Sequence, residues 1–65
     1  MSKLVLDPNI VHADEVYQTL VDAYEGLDAG EREAFSARLI LILANHIGNE
    51  QVIRAAIDVA RGDDV

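Results

Sequence analysis

Two histidines, His12 and His46, are the side chains in this sequence best suited to chemistry. If the first two helices lie antiparallel, His12 at the start of one approaches His46 at the end of the other. Asp14, Asn45, Asn49 and Glu50 belong to the same end of the molecule. Imidazole nitrogen joined by carboxylate oxygen is a reasonable set for a transition metal. The spacing argues against it. His12-x-Asp14-Glu15 matches no metal motif, and the two histidines fall on different helices. The simpler reading is stronger: His46 suits the negative end of a helix, and the Asn and Asp residues suit helix starts. No metal ligand, cofactor-binding residue or catalytic residue is assigned. A small metal- or ligand-binding protein using the His12/His46 end stands as the alternative function.

Elsewhere nothing resembles a nucleophile beside a base, a phosphate-cradling loop or a pair of buried carboxylates. The chain is therefore expected not to be an enzyme.

The elements that would position any site are few. A chain of 65 residues is one small domain, and a domain near that size hides only about 60% of its unfolded surface. Such scaffolds need a staple, and the absence of cysteine leaves oligomerisation as the natural one. The net charge of -7 with only five Lys and Arg argues against nucleic acid and anionic membrane, which both select clustered bases. "MSKLVLDPN" lacks the apolar core and small-residue cleavage site of a signal peptide. The longest apolar run is far below the ~20 residues a bilayer span requires. A cytoplasmic location is expected.

The pattern predicts an all-α fold of three short helices in a single domain over 1–65. A non-helical N-terminal segment (1–11) precedes them, and a frayed tail (62–65) follows. Pro8 in "LDPN" ends the extended Leu4-Val5-Leu6 stretch. The first helix, about 13–25, carries Val16, Tyr17, Leu20, Val21 and Tyr24 on one stripe, with His12 or Asp14 as its cap. The third, about 50–61, starts from Asn49 and carries Val52, Ile53, Ala56, Ile57 and Ala60. Its Glu50, Arg54 and Asp58 follow at four-residue spacing on the wet side. Gly26, Gly48 and Gly62 stand where helix ends favour a left-handed residue.

The middle segment, about 29–47, opens with "DAGE", the spacing of a capping box between Asp28 and Glu31. Inside it lies Leu39-Ile40-Leu41-Ile42-Leu43-Ala44. On a helical wheel of roughly 100° per residue, Phe35, Leu39, Ile42 and Leu43 share one face. Ile40, Ala44 and Ile47 extend that face, and Leu41 lies on the far side with Ala34 and Ala37. Glu31, Arg38 and Asn45 form a narrow polar strip. A helix apolar nearly all round must be surrounded. Two flanking helices cover part of it. The remainder is expected to meet the Leu4-Val5-Leu6 segment, a second copy or another protein. Ile40, Leu41 and Ala44, rimmed by Arg38 and Asn45, are the candidate interaction residues. A homodimer or a heterologous protein partner is expected.

Two other motifs weigh less. The tight "HIGNEQ" junction has the look of a helix-turn-helix, but the following helix brings acids as well as arginines. Tyr17 and Tyr24 read as core-edge aromatics with wet hydroxyls, and the short Arg-Gly-Asp string near the end carries no argument.

The stretch "EGLDAGEREAFSARLILILANHIGNEQVIRAAIDVAR" resembles a family of short proteobacterial proteins classed only as a domain of unknown function. "ARLILILANHIGN" is the centre of the likeness, with "YEGL" upstream and "AAIDVAR" downstream. Members of that family are often encoded beside flavin-dependent aromatic-ring monooxygenases. The resemblance implies an accessory role in aromatic catabolism, with such a monooxygenase as a partner, and carries no catalytic residue onto this chain.

Overall fold

The computed structural model describes residues 3–63. Among them are three helices: α1 (Ala13–Tyr24), α2 (Ala29–Ile47) and α3 (Glu50–Ala60). No helix of the described residues is long and apolar enough to cross a membrane. Asp64 and Val65, the end of the expected frayed tail, lie outside the described residues, as do Met1 and Ser2 of the N-terminal segment.

The helix starts follow from side chains three residues apart. At α2 the Asp28 carboxylate accepts the Glu31 backbone N–H at 2.8 Å, and the Asp28 N–H donates to Glu31 Oε1 at 2.9 Å. This reciprocal pair satisfies two amides that have no partner inside the helix. At α3 the Asn49 side chain accepts the Val52 N–H at 2.9 Å. The start of α1 is weaker. His12 occupies the cap position without a side-chain hydrogen bond, and Asp14 and Glu15 favour the first turn through charge alone. Gly48 ends α2 at φ 70°, sending its N–H to the Ala44 carbonyl. Only Gly48 and Asn49 separate α2 from α3.

The helices meet in two places. Tyr24, the last residue of α1, reaches the second turn of α2: its hydroxyl lies 2.5 Å from Ser36 Oγ. Its ring meets Phe35 edge-on, and the Arg32 guanidinium stands 5.8 Å from the ring centroid. α2 and α3 are the more closely apposed pair. On α3 the ion pair of Arg54 with Glu50, at 2.6 Å, runs along the exposed side and contributes only a few tenths of a kcal/mol, roughly the value of exposed helix pairs.

What these contacts do not make is a closed core. Among the described residues not one is buried. Phe35, Leu39, Ala44, Val52, Ile53 and Ala56 reach intermediate burial. Ile42 and Leu43, on the same face of α2 as Phe35 and Leu39, stay exposed. The reason is that the contact of α1 with α2 concentrates at Tyr24, beside Phe35 and Ser36, one to two turns before Ile42. Val16, Leu20 and Val21 of α1 stay exposed too. The N-terminal segment is largely open as well. Residues 3–10 form neither helix nor strand, Leu4 is half-buried, and Val5 and Leu6 face outward.

Size measures agree. The chain has 5841 Å² of accessible surface, where a compact monomer of its mass has about 4,100 Å². Its radius of gyration is 13.5 Å, against about 11 Å for a compact domain of this length.

Candidate interaction surface

The capping box starts α2 at Ala29, and the helical repeat then sets which side chains share a face. Ile40, Leu43, Ala44 and Ile47 lie at positions i, i+3, i+4 and i+7, so they form one continuous stripe. In α3, Ile53, Ala56, Ile57 and Ala60 repeat the same spacing. The two-residue connection turns α3 back so that the two stripes become neighbours. Together they line an open groove of about 320 Å³. Every lining side chain is apolar.

The candidate interaction residues divide between two sides of α2. Ile40 and Ala44 line the groove. Leu41 is displaced by one residue, about 100° around the helix, and is 70% exposed. Arg38 and Asn45 are also exposed and lie on Leu41's side of the wheel, away from the groove. The five residues are therefore not one patch. Ile40 and Ala44 have a neighbouring helix beneath them; Leu41, Arg38 and Asn45 stand on an isolated helix surface.

The α3 half of the groove is absent from the candidate interaction residues, which were drawn from α2 alone. The signal was legible: two successive helices carry the same i, i+3, i+4, i+7 apolar spacing.

The histidine end has a different character. His12 and His46 are both exposed, as are Asp14, Asn45 and Glu50. Asn49 is committed to capping α3. Among the described residues, no three His, Asp or Glu side chains stand close enough together to hold a metal ion.

A profile described as a protein of unknown function, DUF2783, matches residues 4–62. The chain belongs to the DUF2783 family. The match takes in all three helices and the segment before them, so the α2–α3 groove, the Leu41 side and the histidine end all lie inside the DUF2783 region. No curated protein matches the chain, and no solved structure does.

Proposed function

We propose that this DUF2783 chain is a non-enzymatic interaction protein, completing its fold against another protein surface through α2. One observation carries the reading: every described residue, including each side chain of the apolar run in α2, retains access to solvent. A folded domain gains its stability from apolar burial, and contiguous exposed apolar surface marks an interaction site. Self-association through α2 is the simplest closure. A helix-in-groove contact with a heterologous partner is the second use of the same helix.

The proposed residues are Ile40, Leu41 and Ala44, with Arg38 and Asn45 at the edge. An accessory role beside a flavin-dependent aromatic-ring monooxygenase rests on the family resemblance of the "ARLILILANHIGN" stretch.

Purification from the native host, with mass spectrometry of the proteins retained, tests the reading when run beside Leu41→Glu and Ile40→Glu. Each substitution sets a charge on apolar surface. At least one should change solution mass, thermal stability or partner retention. If both variants match the wild type in all three, α2 is not the contact.

A further inference from the structure

The α2–α3 groove has the chemistry of a surface made for its own copy. Its rim is built of large side chains left open: Ile40 is 63% exposed, Leu43 and Ile47 51% each, and Ile57 47%. Its floor holds Ala44, Ile53 and Ala56, all of intermediate burial. Large knobs and alanine-sized holes thus stand on one face, the self-complementarity a two-fold contact requires.

Electrostatics chooses between the faces. Two copies of a chain of charge -7 repel wherever acids meet acids. α1 carries Asp14, Glu15 and Asp22 without a basic residue. The strip of α3 beside the groove balances Glu50 and Asp58 with Arg54 and Arg61, and the groove itself is uncharged. Like copies can approach closely at the groove without bringing acids together. A basic partner would find its complement on α1 instead.

Area fits the same occupant. The 5841 Å² of accessible surface exceeds that of a compact chain of this mass by about 1,700 Å². Part of that excess belongs to the extended residues 3–10 and to α1; the part carried by Ile40, Leu43, Ile47 and Ile57 is what a second copy seated on the groove would hide.

We infer that the occupant of the α2–α3 groove is the same groove of a second copy, and that folding and dimerisation are one event. The four helices then enclose the core that a single chain lacks, with Ile40, Leu43, Ile47 and Ile57 of one chain seated over Ala44, Ala56 and Ala60 of the other. The inference rests on the proposed self-association and names its surface. It leaves Leu41, Arg38 and Asn45 outward for a different protein.

The test uses the wild-type chain. Sedimentation at micromolar concentration should give the mass of two chains, and the melting temperature should rise with protein concentration, as it does when folding and assembly are coupled. In a mixture of isotope-labelled and unlabelled chains, intermolecular NOEs should connect the methyls of Ile40, Leu43, Ile47 and Ile57 with those of Ala44, Ala56 and Ala60. Ile57→Glu should shift the population toward monomer. A dimer whose intermolecular NOEs run through Leu41 and omit the groove overturns this inference while the proposed self-association stands. A wild type that is a folded monomer at micromolar concentration overturns both.

Discussion

Tyr24 meets Phe35 edge-on, with ring centroids 5.3 Å apart and planes at 81°. The pair joins the last residue of α1 to the second turn of α2, and the Tyr24 hydroxyl adds its 2.5 Å hydrogen bond with Ser36. It is the aromatic fastening of α1 to the rest of the molecule. An edge-on pair couples by about 0.5–1.5 kcal/mol beyond its area. A double-mutant cycle with Tyr24→Leu and Phe35→Leu, read by urea unfolding at fixed protein concentration, should return a coupling in that range. Additive losses would mean that the rings stabilise the fold independently. Tyr24→Phe keeps the ring and should cost about 1 kcal/mol through the lost hydroxyl bond.

The capping box at α2 makes a second prediction. Asp28→Ala removes the acceptor of the Glu31 N–H and should destabilise by about 1 kcal/mol. Glu31→Ala leaves the Asp28 carboxylate in place but frees the Asp28 N–H, so its cost should be smaller. Unfolding curves of the two variants decide the order. An Asp28→Ala variant as stable as wild type would show that neighbouring contacts hold the start of α2 without its cap.

Two glycines in α2 and at its end should respond in opposite directions to the same substitution. Gly48 has φ 70°, so an added Cβ strains the backbone, and Gly48→Ala should cost about 1 kcal/mol. Gly30 lies in the first turn at an ordinary helical φ, where a Cβ would meet Asp28 Oδ1 at an unstrained 3.6 Å. Gly30→Ala should therefore stabilise by about 0.5 kcal/mol by restricting the unfolded chain. Melting temperatures measured at one concentration check both signs.

The histidine end is expected to hold no metal tightly. His12 and His46 are exposed, and among the described residues no three His, Asp or Glu side chains gather to hold a metal ion. Elemental analysis after dialysis against zinc, nickel and copper should find none in stoichiometric amount. Metal that survives dialysis and disappears in His46→Ala would restore the metal-binding alternative.

Much of the fold was legible in local sequence. "DAGE" specified the start of α2, Asn49 that of α3, and Gly48 the break between them, because each acts over three or four residues. The observed helices end at Tyr24 and Ala60, each one residue short of its expected end, within the ordinary fraying of a helix terminus. The candidate surface was legible only in part. The apolar run of α2 identified a helix wanted on several sides, but not which side chains it would leave open or which other helix would join them.

The division has a physical cause. Periodicity, caps and glycine positions are properties of a single segment, and they determined from sequence alone that three helices form and where each begins. The rotation of each helix about its axis, and the closeness of its neighbours, depend on contacts between residues distant in the chain. Tertiary structure decided that Tyr24 fastens α1 near Phe35 and leaves Ile42 and Leu43 exposed. It also set the Ile40–Ile47 stripe of α2 beside the Ile53–Ala60 stripe of α3. An apolar stripe states only that a surface must leave water; the packing of the three helices determined that this one stays open as a groove.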